Sequence, residues 1–134
     1  MELGLRSRML TVGRRMAAPP ESAWRVLTDL DAWPRWGPSV QRAELDGGGG
    51  PLTLGSRGRV WTPIGLSLPF VVTEYERGRE WAWHVAGVPA TRHSVAQDGD
   101  GCRVTFGVPI WAPAYLAVCA VALKRIEDLA VSAP

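Results

Sequence analysis

The spacing of apolar residues predicts a strand and two short helices at the start of the chain. A first strand over residues 9–18 ends at two consecutive prolines. Apolar residues then recur at helical spacing from Ala23 to Leu30, which predicts a helix over residues 20–30. Asp31 is a suitable cap for a second short helical turn, which contains Trp33 and Trp36 and ends at a Gly-Pro pair.

From residue 40 the helical period gives way to alternation of apolar and polar positions. Such alternation, bounded by Gly, Pro or Asp-Gly, predicts strands over residues 40–45, 57–62, 66–76, 80–86, 90–97 and 103–110. The short connections at residues 77–79 and 98–101 are typical of hairpins, so we expect an antiparallel meander. In the strand over residues 57–62, either Val60 or Trp61 could face the core.

A closing helix is predicted over residues 113–131. Its apolar positions form one stripe, and its first half is apolar on nearly every side. This helix is the only element apolar enough to cover the inner face of the sheet. The pattern therefore predicts an α+β fold, with the sheet curled around the closing helix. An apolar surface left on this helix favours homodimerisation as one hypothesis.

Composition narrows the class of protein. The 134 residues fit a single domain spanning residues 1–134, and the net charge of +2 gives no support for a nucleic-acid partner. Cys102 and Cys119 are too few for a disulfide scaffold, and we expect both to be reduced. The two histidines are predicted to lie on opposite faces, so we expect no metal site, and no motif indicates a cofactor.

The sequence predicts neither a signal peptide nor a membrane span. Residues 1–10 lack an apolar signal core, and the longest uncharged apolar run, residues 112–123, is shorter than the ~20 residues that cross a bilayer. We therefore expect a cytoplasmic protein without integral membrane association.

Several short motifs, taken in order, resemble the START-like (SRPBCC) superfamily and, within it, the polyketide cyclase/dehydrase-like group. They lie at residues 18–24, 27–29, 33–36, 81–83 and 101–106, and the resemblance covers residues 9–131. It implies the helix-grip fold, in which a curved antiparallel sheet of about seven strands holds a long C-terminal helix around an apolar cavity. Members of the superfamily bind or transform lipids, sterols and polyketides. The closing helix looks short for the family, which predicts a smaller or partly open cavity.

The resemblance and the seven tryptophans together indicate a site for a small hydrophobic molecule between the sheet and the closing helix. His93 is expected to face this cavity and to donate or accept one hydrogen bond. Polar inward positions are few, so non-catalytic binding is favoured and no catalytic residue is assigned. A cyclase, aromatase or dehydratase, and an interaction domain with a filled core, are the alternatives. The expected lining residues are Trp61, Phe70, Val72, Trp83, His93, Phe106, Trp111 and Tyr115.

Overall fold

One antiparallel sheet forms the frame of the protein in a computed structural model that describes residues 2–6 and 9–132. Its eight strands lie in the order β1-β2-β8-β7-β6-β5-β4-β3, so every strand from β3 to β8 pairs with its neighbour in sequence. The strands are β1 (Glu2–Arg6), β2 (Met9–Met16), β3 (Arg42–Leu45), β4 (Arg57–Trp61), β5 (Ser67–Glu76), β6 (Glu80–Val85), β7 (Val88–Asp98) and β8 (Gly101–Pro109).

Three helices cover one face of this sheet. Helix α1 (Pro20–Thr28) begins after Pro19, with a proline in its first turn, and α2 (Trp33–Trp36) is a single turn. The long helix α3 (Tyr115–Ser132) packs on β2 and β8 and against α1 and α2. This arrangement confirms the predicted helix-grip α+β fold. No helix among the residues that the structure describes is long and apolar enough to span a membrane.

Strand β1 is an eighth strand that the sequence pattern did not predict. It is only five residues long and pairs with β2 at the edge of the sheet. Leu3 and Leu5 lie opposite Val12 and Leu10 but remain exposed, because β1 extends beyond the surface that α3 covers. A short edge strand with exposed apolar residues leaves little signal in the hydrophobic pattern.

Alternation along the strands defines the inner face of the sheet. On β4, Gly58 and Val60 are buried, which turns Arg57, Arg59 and Trp61 to the outer face. This settles the orientation that the sequence left open: Val60 points inward. Gly58 is required because a Cβ atom there would lie 2.8 Å from the Phe70 ring and closer still to a backbone oxygen of β3.

Candidate ligand-binding site

Aromatic rings fill the space between the inner face of the sheet and helix α2. The Trp33 ring stacks on Trp81 with centroids 5.3 Å apart, and Trp83 meets Trp33 edge-on, also at 5.3 Å. The His93 ring stacks on Trp81 at 3.9 Å and meets the edge of Phe106 at 4.7 Å. Such offset and edge-to-face pairs stabilise a core beyond simple burial. The cluster leaves a void of about 30 Å³, which is too small for an organic ligand.

A chain of three hydrogen bonds fixes the tautomer of neutral His93. The imidazole Nδ1 lies 3.2 Å from the carbonyl oxygen of Trp81, which can only accept, so Nδ1 carries the proton. Nε2 therefore accepts from the Thr91 hydroxyl at 2.8 Å. The same Thr91 oxygen accepts from the indole Nε1 of Trp83 at 3.0 Å. Both nitrogens of His93 and the hydroxyl proton of Thr91 are thus engaged inside the protein.

Burial keeps His93 neutral. The residue is 2% exposed, and loss of hydration lowers its pKa from 6.5 to about 3, with a further lowering by the positive charge of Arg92. The hydrogen bond to the Trp81 carbonyl only partly opposes this shift. A general acid or base works best with a pKa near the operating pH, and His93 lies far from it at neutral pH.

A larger apolar cavity of about 360 Å³ opens beside the aromatic cluster, at the end of the sheet where α3 begins. One wall is formed by strands β4 to β7, and the other by the segment that leads from β8 into α3. Trp83 and Thr91 separate this cavity from His93. The lining residues are Ser39, Val40, Val60, Thr62, Leu68, Trp83, Val85, Val88, Pro89, Ala90, Thr91, Val108, Pro109, Trp111, Ala112 and Tyr115.

Exposed apolar side chains surround the mouth of this cavity. Three connections meet there: the β4–β5 hairpin, the β6–β7 turn and the β8–α3 segment. Ile64 at the tip of the first is 88% exposed, and Trp111 in the last is 66% exposed. Residues 60–73 and 104–123 contain no Asp, Glu, Lys or Arg, so the β4–β5 hairpin and the β8–α3 segment carry no formal charge. An apolar molecule can therefore enter the cavity past these segments without dehydrating a charged side chain.

Two hydroxyl groups supply the polar atoms on the α3 side of the cavity. The Tyr115 hydroxyl lies 2.5 Å from Ser39 Oγ, which joins the first turn of α3 to the loop that follows α2. Partial burial raises the pKa of Tyr115, while its hydrogen bond to Ser39 acts in the opposite direction. Tyr115 therefore remains protonated at neutral pH and can donate a hydrogen bond.

The structure brings three of the eight expected lining residues to the cavity: Trp83, Trp111 and Tyr115. His93 and Phe106 line only the small void behind it. The other three lie outside both spaces. Phe70 and Val72 are buried in the core, and Trp61 lies on the outer face with the Arg42 guanidinium 4.8 Å from its ring centroid.

Sequence reasoning missed the lining residues that come from a loop and from the end of a strand. Ser39 and Val40 belong to the loop after α2, and Val88 and Pro89 to the start of β7, where no alternation distinguishes a cavity wall from a turn. Val85 could have been predicted as a lining residue, because alternation puts it on the same face as Trp83, whereas the orientation of Val60 was left open by the sequence.

Both cysteines are buried and unpaired, as expected from the sequence. Burial raises the pKa of the Cys119 thiol to about 12, and it also raises that of Cys102. We therefore predict that a disulfide reagent at pH 8 labels neither thiol of the native protein, since the reactive species is the thiolate. In denaturant both should react, and rapid labelling of the native protein would contradict the buried placement.

The sequence model of one protein family, described as polyketide cyclase / dehydrase and lipid transport, matches residues 9–128. The chain belongs to this family. Membership in the polyketide cyclase/dehydrase family supports a ligand-binding or cyclase-type role and specifies no ligand. No curated protein matches the sequence.

Solved structures share the fold at low identity. Protein MLL2253 from Mesorhizobium loti superposes with a TM-score of 0.72 at 14% identity, over 91% of this chain and 96% of its own. Protein NE0264 from Nitrosomonas europaea gives 0.68 at 18% identity, over 93% and 96%. DynU16, from the dynemicin biosynthetic locus, gives 0.68 at 18% identity, over 95% of this chain and 48% of its own. These likenesses show the polyketide cyclase-like fold.

Proposed function

We propose that this family member binds a small, largely apolar molecule non-covalently in the cavity beside α3 and does not transform it. The observation that carries the proposal is the cavity itself, an apolar space of about 360 Å³ with one wall from the sheet and one from the β8–α3 segment. This volume lies within the range typical of small-molecule sites. Trp83 and Trp111 at its walls favour a flat, fused-ring ligand, because aromatic faces stack on one another.

The states of His93 and Tyr115 favour binding over catalysis. A cyclase or dehydratase needs an acid or base that reaches the substrate. His93 lies behind Trp83 and Thr91, both of its nitrogens are engaged, and its pKa of about 3 keeps it neutral. Tyr115 does face the cavity, but its raised pKa makes it a hydrogen-bond donor rather than a base at neutral pH.

A substitution that fills the cavity provides the direct test. Val85 lines the cavity and is half-buried, so Val85→Phe should place a ring in the ligand's space and weaken binding of tetralin, a two-ring hydrocarbon, at least tenfold. Binding is followed by the shifts of the tryptophan indole N–H signals in NMR, where those of Trp83 and Trp111 should respond most.

Val71→Phe is the matched control, because Val71 is also a half-buried strand residue but points to the outer face, between the inward-facing Phe70 and Val72. It should leave tetralin binding unchanged. Equal loss in the two variants, or indole shifts confined to the outward-facing Trp61, would refute binding in this cavity. Conversion of a bound polyketide-like substrate to product would instead assign the enzymatic role.

A further inference from the structure

We infer that the cavity selects apolar ligands that carry a hydrogen-bond acceptor, such as a ketone, and that Ser39 and Tyr115 together present one donor to that acceptor at the α3 wall. This inference rests on the proposed function and specifies the class of ligand. It follows from a count of the donors and acceptors on the four hydroxyl groups that line the cavity: Ser39, Thr62, Thr91 and Tyr115.

Thr91 cannot donate a hydrogen bond to a ligand. Its hydroxyl proton is directed to Nε2 of His93, and its oxygen already accepts from the Trp83 indole. Thr62, at the β4–β5 hairpin, accepts from the amide of Leu66 within its own turn and keeps its proton, but it belongs to the wall formed by the sheet and not to the α3 wall.

Ser39 and Tyr115 behave differently, because they share one hydrogen bond. Each hydroxyl has one proton, and a bond between two hydroxyls consumes only one of the two protons. If Tyr115 donates to Ser39, the proton of Ser39 is free, and if Ser39 donates, the proton of Tyr115 is free. Among the described residues neither group makes another side-chain hydrogen bond. One O–H donor is therefore available at this wall in either arrangement.

An available donor discriminates between ligands. Water satisfies it in the open cavity, and an apolar ligand that displaces this water must supply an acceptor or leave the donor unpaired. A ketone meets the requirement, while the corresponding hydrocarbon does not. The ligand should therefore lie with its rings between Trp83 and Trp111 and its acceptor toward α3.

Because Ser39 and Tyr115 share one hydrogen bond, removal of either hydroxyl alone should leave one donor at the α3 wall. In Tyr115→Phe, Ser39 keeps its proton and no longer has a partner to donate to, so the donor survives. In Ser39→Ala, the Tyr115 proton survives in the same way. Only the double variant Ser39→Ala/Tyr115→Phe removes the donor.

The experiment compares 1-tetralone with tetralin, which differ by a carbonyl in place of a methylene, on the native protein and the three variants. The measured quantity is the ratio of the two dissociation constants, obtained from NMR titration of the indole signals. We expect the double variant to lose about fivefold of the preference for the ketone, the worth of one net hydrogen bond, and each single variant to stay within about twofold of the native ratio. The matched control is Ser94→Ala/Tyr75→Phe, the same pair of changes made outside the cavity lining, which should keep the native ratio.

Tetralin binding distinguishes failure of the inference from failure of the proposed function. If tetralin binds the native protein and the double variant equally, but the ketone preference is the same in both, the inference is overturned and the proposed function stands. If either single variant already loses the whole preference, the shared donor is refuted. If neither compound binds the native protein, the proposed function fails and the inference fails with it.

Discussion

Trp33→Ala should destabilise the protein by about 4 kcal/mol, a large part of the 5–15 kcal/mol that holds an ordinary domain together. Trp33 is 1% exposed, and its ring contacts Phe70, Trp81 and Trp83. Its indole Nε1 donates to the carbonyl oxygen of Leu27 at 2.9 Å, which ties α2 to α1. Truncation to Ala removes the ring and leaves a cavity that this rigid cluster cannot collapse to fill.

Urea unfolding at pH 7 measures this loss, and Trp111→Ala is the matched control. Trp111 is mostly exposed at the cavity mouth, so its truncation should change the free energy of unfolding by less than about 0.5 kcal/mol. The same control should weaken tetralin binding, since Trp111 lines the cavity. Similar stability losses in the two variants would contradict the division between a filled aromatic core and an open mouth.

His93 should make the protein unstable in acid. In the unfolded chain its pKa is the ordinary 6.5, whereas burial holds the folded value at about 3. Below pH 6.5 the unfolded state therefore binds a proton that the folded state does not, and stability falls with pH until the loss levels off near pH 3. At pH 4.5 the contribution is about 3 kcal/mol, from two pH units at about 1.4 kcal/mol each.

A difference measurement isolates this contribution from the carboxylates that titrate in the same range. His93→Gln removes the titrating group, so the stability gap between the native protein and this variant should shrink by about 3 kcal/mol between pH 7 and pH 4.5. Val71→Phe, which changes no titratable group and leaves His93 in place, should keep the native pH profile. A gap for His93→Gln that stays constant over this range would show that His93 is hydrated or protonated in the folded protein.

The fold was accessible from the sequence because its main elements are long and strongly patterned. Strands β5, β7 and β8 are nine or more residues long and contain alternating stretches, and α3 is an 18-residue helix with an apolar stripe. Membership of the family, first seen as a resemblance in short motifs, is confirmed by the match over residues 9–128. Strand β1 was missed because it is only five residues long and its apolar residues are exposed.

The site was less accessible, since a periodic pattern reports which face a residue occupies and not how much space lies beyond it. Phe70 and Trp83 both point inward, yet only Trp83 lines the cavity, because Phe70 is enclosed by the rings of Trp33 and Trp83. Packing by Trp33, which belongs to α2, cannot be predicted from the spacing of apolar residues along either strand. Trp61 shows that a large aromatic residue need not point inward. It lies on the outer face, where a cation–π contact with Arg42 stabilises it.

The position of the cavity links occupancy to the motion of α3. Its two walls belong to the sheet and to the β8–α3 segment, and Tyr115 in the first turn of the helix contributes to it. A molecule held there binds only while the helix is docked, so it favours the docked state by mass action, by an amount that grows with the logarithm of its concentration. Local opening at the start of α3 removes one wall of the cavity and releases the ligand, so the rate of this opening sets an upper limit on how long any ligand stays bound.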